Sequence, residues 1–313
     1  MPETISARVT ARRDLTPAIR EFVLAPAPGF TLPAAEPGAH IGVETPSGAW
    51  RQYSLVTPAQ EPACYRIAVK RETDGRGGSD AVHTGWAEGS EILLTAPSNS
   101  FALQAAPRYL LIAGGIGVTP IYAMAQQLVG QGADLEMIYC TRSRAETAYA
   151  DALEALLGDR LTLHHDGGDP EEVYDFWDHF AEPQMAHVYC CGPSALMEEI
   201  KAISGHWPEG RVHFEDFAGV EGLRADDVAF DVALQKTGLT VSIPADRSIL
   251  EALRAAGIST PSSCESGTCG TCKVGLIAGA VDHRDMVLME HEKADHIMIC
   301  VSRAASGGLV LDL

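Results

Sequence analysis

The chain has 313 residues, long enough for two or three domains that each bury a core. Apolar residues make up 46% and charged residues 21%, with a mean hydropathy of +0.01, which excludes a disordered or fibrous chain. With 23 Lys and Arg against 42 Asp and Glu the net charge is −19, and a surface this acidic repels phosphate backbones, which excludes nucleic acid as a partner.

At the start of the chain, Met1-Pro2-Glu3-Thr4 lacks the basic and then apolar run of a secretory leader. A reducing cytoplasm is the expected compartment, where the eight cysteines stay free or serve as ligands. Residues 1–103 hold short β runs at 39–43, 53–56, 65–69 and 92–94, broken by Pro and Gly, and predict an antiparallel barrel or sandwich. Within them, Arg51-Gln52-Tyr53-Ser54 sets an arginine, an aromatic ring and a hydroxyl on one strand, with Tyr53 facing away from Gln52 and Ser54. Gly75-Arg76-Gly77-Gly78-Ser79 is a loop suited to cradling a phosphate, although such loops are also common as solvated turns.

From residue 104 to 225 strands and helices alternate, which predicts a parallel, doubly wound α/β sheet. Strand 110–113 is followed by a helix to 129, strand 135–139 by a helix at 146–157, strand 161–164 by a helix at 170–180, and strand 187–190 by a helix at 193–203. Thr119 is expected to cap the first helix with Pro120 in its first position and Gly130 at its end, a device that Asp169-Pro170 and Gly192-Pro193 repeat. Residues 109–133 carry no charge, but Gly114, Gly115, Gly117 and Pro120 interrupt them, so they read as strand, turn and helix and not as a membrane span. Gly114-Gly115-Ile116-Gly117-Val118-Thr119-Pro120 lies where a pyrophosphate meets helix N–H groups, though it departs from the G-x-G-x-x-G pattern. Cys191-Gly192-Pro193 stands at a second strand-to-helix turn of that sheet.

Residues 226–313 open on a hairpin, in which Phe230, Val232 and Leu234 alternate, Lys236 to Leu239 turn, and Val241 and Ile243 return. A capping box, Ser248 to Glu251, starts a short helix ending near Gly257, so this stretch reads as a small α+β domain. Cys264, Cys269 and Cys272 follow the C-x4-C-x2-C spacing, with Cys300 a further 28 positions on, which is the plant-type [2Fe–2S] ligand pattern. Structural zinc, the rival, draws on two close C-x2-C pairs, and only Cys269 and Cys272 form one. Cys64 and Cys140 lie in apolar runs and read as core residues. His291 and His296 are spaced five apart, off a common helix face, and read as a solvated segment.

In this order, Arg51 to Ser54, Gly75 to Ser79, Gly114 to Pro120, Cys191 to Pro193 and the cysteine loop resemble the FMN- and [2Fe–2S]-containing reductases of Rieske oxygenases over essentially the whole chain. The resemblance implies a multidomain fold: an FMN β-barrel over 1–103, an NADH domain over 104–225 and a β-grasp ferredoxin over 226–313. It implies that Arg51, Gln52, Tyr53 and Ser54 hold the flavin ring and ribityl chain, with Ser54 near N5. Ala68, Lys70, Arg76, Gly77, Gly78 and Ser79 would hold the phosphate side. Gly115, Thr119, Cys191 and Pro193 would line the NADH site, Ser54 and Cys191 would stand at the chemistry, and Phe217 would stack on the flavin, with Phe214 competing. Arg142 and Arg144, after the second strand, could face the adenosine ribose or a 2′-phosphate, so NADH rests on the resemblance alone. Hydride from NADH would pass to FMN and electrons singly to the cluster. No Cys-x-His pair of a Rieske centre is present. The implied partner is therefore a separate Rieske-type oxygenase, phthalate dioxygenase first, met transiently by a monomer. A vanillate-type demethylase as acceptor and a redox-sensing iron–sulfur protein are the rivals.

Overall fold

Ile5, Ala7 and Val9 alternate with Ser6, Arg8 and Thr10 along β1 (Thr4–Asp14), and this period of two turns one row of side chains inward. The computed structural model describes residues 4–48, 50–72, 77–217, 222–224, 226–262, 267 and 270–313. It divides into two units, Glu3–Phe217 and Ala218–Leu313.

In the first unit β1 is joined by β2 (Ile19–Pro26), β3 (His40–Glu44), β4 (Trp50–Ser54), β5 (Tyr65–Lys70), helix α1 (Gly78–Gly85) and β6 (Glu91–Thr95). The six strands form one antiparallel sheet in the order β4-β3-β6-β1-β2-β5. Its two edges meet where Leu55 bridges Ile67 and Val56 N donates to Arg66 O at 2.9 Å. Phe22, Leu24, Ile41, Val43, Tyr65, Ile67 and Leu94 fill the interior. The apolar runs at 39–43, 65–69 and 92–94 fall on β3, β5 and β6. The long pair β1 and β2 was not legible as apolar runs, because Arg8, Arg12, Arg13 and Arg20 are interleaved with their buried positions.

The same unit continues through β7 (Arg108–Gly114), α2 (Val118–Gly130), β8 (Asp134–Thr141), α3 (Ala150–Leu157), β9 (Leu161–His165), α4 (Trp177–Phe180), β10 (Ala186–Cys191), α5 (Ser194–Ile203) and β11 (Val212–Glu215). All strand pairs are parallel, in the order β11-β10-β7-β8-β9. Alternation along the strands feeds two cores. Tyr109, Leu111, Ala113, Met137, Tyr139, Tyr189 and Cys191 face α2 and α3, while Leu110, Ile112, Ile138, Val188 and Cys190 face α4 and α5. Ile19, Val56, Ala68 and Phe101 join the first of these cores, so the antiparallel sheet packs against the α2 side. Gln126 of α2 donates to Val56 O at 2.8 Å, and the Tyr149 hydroxyl donates to Glu21 Oε2 at 3.0 Å.

Several helix limits differ from the sequence expectation. Thr119 is not the cap: α2 starts at Val118 after a tight turn at Gly115–Gly117, and the Thr119 hydroxyl donates back to Ile116 O at 3.1 Å. The helix ends at Gly130 as expected, but Gly130 is not the residue that reverses the chain. Gly132 N reaches Val129 O and Ala133 N reaches Leu128 O, each at 3.0 Å, with Gly132 left-handed, so the chain closes in a Schellman motif two residues later. Pro193 precedes α5 as its cap position instead of opening it. Helix 146–157 shortens to α3 because Tyr149 takes φ 61, the only positive φ outside glycine among the described residues. Helix 170–180 shortens to α4 because Asp169 and Asp175 side chains accept from Glu171 N and Trp177 N, each at 2.9 Å, closing turns that compete with the helix. Cys140 is half-buried and packs against the α4–α5 core as expected, whereas Cys64 is half-buried in the loop before β5 and belongs to no core.

The second unit is a mixed sheet in the order β13-β12-β16-β14-β15, built from β12 (Phe230–Leu234), β13 (Thr240–Ile243), α6 (Ile249–Ala255), β14 (Lys273–Asp282), β15 (His296–Met298) and β16 (Arg303–Leu311). The predicted hairpin is present with Phe230 opposite Ile243, and the capping box forms with Ser248 and Glu251 bonded both ways. Ile249, Leu250, Ala252 and Leu253 lay α6 onto the sheet. Arg284 forks onto Asp227 at 2.6 and 2.9 Å and also donates to Gly222 O at 2.8 Å. Among the described residues no helix is long and apolar enough to cross a membrane.

Candidate active site

The register of β4 against β3 sets Val43 opposite Arg51, Ile41 opposite Tyr53 and His40 opposite Ser54. Opposed residues share a face, so Arg51 and Tyr53 lie on one side and Ser54 on the other. Tyr53 packs against the interior, and burial pushes its phenol up to about 12. Ser54 is 5% exposed, and its Oγ has no hydrogen-bond partner among the described residues. A buried hydroxyl left in that state costs roughly 1–3 kcal/mol, a penalty that a bound heteroatom would remove.

Arg51 runs from this strand onto the first residue of α1. A Cβ placed at Gly78 would fall 2.8 Å from Arg51 Nε, so only glycine admits the guanidinium there. Gly77 precedes α1 and no side chain caps the helix, which leaves its first N–H groups and the positive end of its dipole beside Arg51. Ser79 Oγ accepts from Glu72 N at 3.1 Å, and Lys70 pairs with Glu72 at 2.7 Å, so both sit at the margin of this corner. Ala68 is a core residue. Gly75 and Arg76 lie outside the described residues.

At the carboxyl edge of the parallel sheet two turns interlock. A Cβ at Gly117 would lie 2.1 Å from Cys191 O, and one at Gly114 would lie 2.6 Å from Pro193 Cδ, so the β7–α2 turn presses against the start of the β10–α5 turn. Gly115 has open space where a side chain would be. Thr119 is 2% exposed with its hydroxyl spent on Ile116 O, so it shapes this turn and offers no free hydroxyl to a ligand. The Tyr139 hydroxyl donates to Gly115 O at 3.0 Å and steadies the turn from below.

Cys191 is fully buried, and burial followed by the Glu215 charge pushes its thiol well above the usual range. Burial thus favours its thiol over its thiolate form. Glu215 is its neighbour across the β10–β11 ladder. Its Oε2 is enclosed, has no hydrogen-bond partner among the described residues, and burial raises the carboxyl to about 8. Sequence reasoning missed Glu215; the available signal was an acidic residue closing a buried strand, two positions before Phe217. Phe217 is 42% exposed. Phe214 faces the opposite core beside Cys190, with Lys201 Nζ 5.2 Å from its ring centre, so the two aromatics are not equivalent.

In the second unit, Ile299 N donates to Cys272 O at 3.4 Å. This contact, with Lys273 opposite Met298, brings Cys300 beside Cys272 although 28 positions separate them in sequence. Both are buried, at 2% and 5% exposure. Cys264 and Cys269 lie outside the described residues. Met286 N donates to Gly267 O at 3.0 Å, tying the 285–289 segment to the cysteine loop. Two thiols buried in one core, one from each of two separate segments, suit an iron–sulfur cluster.

Comparison with known proteins matches two regions of the chain to described domains. Residues 111–202 match an oxidoreductase NAD-binding domain, and residues 232–305 match a 2Fe-2S iron-sulfur cluster binding domain. The chain is 44% identical over 310 residues to phthalate dioxygenase reductase of Burkholderia cepacia, covering 98% of this chain and 96% of that one. It is 39% identical over 316 residues to a vanillate O-demethylase oxidoreductase of a Pseudomonas species, covering 99% and 100%. A solved phthalate dioxygenase reductase, described as a modular structure for electron transfer from pyridine nucleotides to [2Fe–2S], superimposes with a TM-score of 0.84 at 44% identity over 99% of this chain and 98% of that one.

Proposed function

The chain belongs to the phthalate dioxygenase reductase family, and from that premise we propose that it is an NADH-dependent oxidoreductase that passes electrons through FMN and a [2Fe–2S] cluster to a separate Rieske-type oxygenase. The carrying observation is the enclosed, unpartnered Ser54 hydroxyl on a strand whose next residues, Leu55 and Val56, lead into the core shared with the nucleotide turn. When bound, FMN takes a hydride from NADH and gives electrons up singly, and the cluster carries one at a time onward.

The residues divide the positioning work. Ser54 would offer its hydroxyl to the reacting edge of the flavin, with Gln52 and Tyr53 along the ring and ribityl chain. Arg51, Gly77, Gly78 and Ser79 would hold the phosphate at the start of α1, where a fork and helix N–H groups converge; Arg76 and Lys70 would add charge. Gly115 would receive the pyrophosphate at the α2 turn, between Thr119 and Pro193. Cys191 and Glu215, both kept neutral at neutral pH by burial, would leave the nicotinamide an uncharged bed in which no base competes for a proton. Phe217 would cover the flavin face; its exposure supports this choice over Phe214. Cys264, Cys269, Cys272 and Cys300 would ligate the cluster.

The bridged six-stranded sheet reads as a closed flavin β-barrel over 1–103, residues 104–225 as the nucleotide domain, and the mixed sheet with α6 as a β-grasp ferredoxin over 226–313. Thiolate ligands favour a reducing cytoplasm, and the chain acts as a monomer that meets its oxygenase transiently. Phthalate dioxygenase is the proposed acceptor. A vanillate-type demethylase is the alternative, and turnover with each purified oxygenase separates them.

The purified protein should show flavin and cluster absorbance together, and in stopped-flow mixing with NADH the flavin bands should bleach before the cluster bands. A colourless zinc protein, or cluster reduction in the absence of flavin, would refute this function. Negligible cytochrome c reduction by NADH would turn the reading toward a redox sensor.

A further inference from the structure

In doubly wound folds the loop after the second strand meets the adenosine ribose, and here that loop follows β8. It is braced in advance of any ligand. Thr141 Oγ1 lies 2.7 Å from Thr147 Oγ1 and 2.9 Å from His165 Nδ1, and the Thr147 hydroxyl donates to Ser143 O at 2.8 Å. Of its two arginines, the Arg142 stem runs over Gly168. Arg144 is held differently. Its Nη1 donates to Glu154 Oε1, and its Nη2 donates to Asp151 and, at 2.9 Å, to Glu154 Oε2, both carboxylates belonging to α3. Glu146 adds a third carboxylate 3.5 Å from the Ser143 hydroxyl.

Two carboxylates outweigh the one guanidinium they hold. A 2′-phosphate carries nearly two negative charges at neutral pH and needs an open guanidinium fork, whereas a 2′-hydroxyl needs only an acceptor. The ion pairs are exposed and cheap to open, so the barrier to a 2′-phosphate is the repulsion that Asp151 and Glu154 keep exerting on it. Resting on the nucleotide reading above, we propose that Asp151 and Glu154 are the specificity determinants that restrict this reductase to NADH, by sequestering Arg144 and repelling a 2′-phosphate, and that opening this clamp admits NADPH.

The test is the double variant Asp151→Asn/Glu154→Gln in the full-length, cofactor-loaded protein. Calorimetry with 2′,5′-ADP and 5′-AMP reads the site independently of electron transfer, and ferricyanide reduction gives kcat/KM for NADPH and NADH. The 2′,5′-ADP to 5′-AMP affinity ratio should rise about tenfold, the NADPH to NADH ratio should follow, and Arg144→Ala in that background should remove most of the gain. An unchanged ratio while both probes still bind overturns the proposal, as does a gain that survives Arg144→Ala in full. If neither probe binds the unaltered protein, the nucleotide reading itself fails and takes the proposal with it.

Discussion

At the scale of single residues, the three groups proposed to stand nearest the chemistry differ in how they could be found. Ser54 and Cys191 sit in short runs whose composition points to a ligand, whereas Glu215 in sequence is one of 42 acidic residues. Only the β10–β11 register, which sets it beside Cys191 in an enclosed corner, makes it exceptional. Burial raises its carboxyl from 4.5 to about 8, so the native state prefers it protonated. The stability this gives is complete below about pH 4.5 and is lost as pH rises through about 8, with a slope of up to ~1.4 kcal/mol per pH unit. Glu215→Gln should therefore flatten the urea midpoint between those pH values in the absence of nucleotide. A pH dependence identical to that of the unaltered protein would show that the carboxyl is solvated.

Elements were legible where the local signal had no competitor. The Ser248–Glu251 box needs only its own four residues, and the α6 start is where those residues place it. Ser248→Ala should cost about 1 kcal/mol in chemical denaturation, because Glu251 N loses its acceptor and the Glu251 carboxylate loses the Ser248 hydroxyl. The same logic misjudged Thr119, whose hydroxyl finds a carbonyl three residues behind it once the glycine turn has tightened. It misjudged 170–180 because two aspartates offer the backbone closer partners than the helix does. The strands β1 and β2 escaped notice for a different reason. Their buried rows are interleaved with arginines, and they become strands through pairing with each other and with β6 and β5.

Over the whole molecule, the charge divides as −2, −12 and −5 across residues 1–103, 104–225 and 226–313. The acid excess belongs to the nucleotide region, where Asp151 and Glu154 give part of it a local use. In the first unit the antiparallel sheet and α3 are joined at Glu21, 5% exposed in its side chain, which pairs with Arg13 and Arg66 at 3.1 Å each and accepts from Tyr149. Burial and the Glu21 charge keep the Tyr149 phenol protonated as the donor, and its left-handed backbone stands directly after the ribose loop. Glu21→Ala should lower stability by about 2 kcal/mol and weaken nucleotide binding, since the tyrosine hydroxyl is left buried and the loop loses its anchor. Unaltered binding with lowered stability would confine Glu21 to a structural role. The sequence by itself pointed to the 2Fe-2S cluster binding domain by its cysteine spacing and to the NAD-binding domain by its glycine turn and strand–helix alternation, because each signal is written in residues close together along the chain. The tertiary structure alone decided that Ser54 is left without a hydrogen-bond partner among the described residues, that burial favours a neutral Glu215 beside Cys191, and that Arg144 is clamped. Burial and electrostatic pairing depend on what distant strands and helices bring to the same few ångströms.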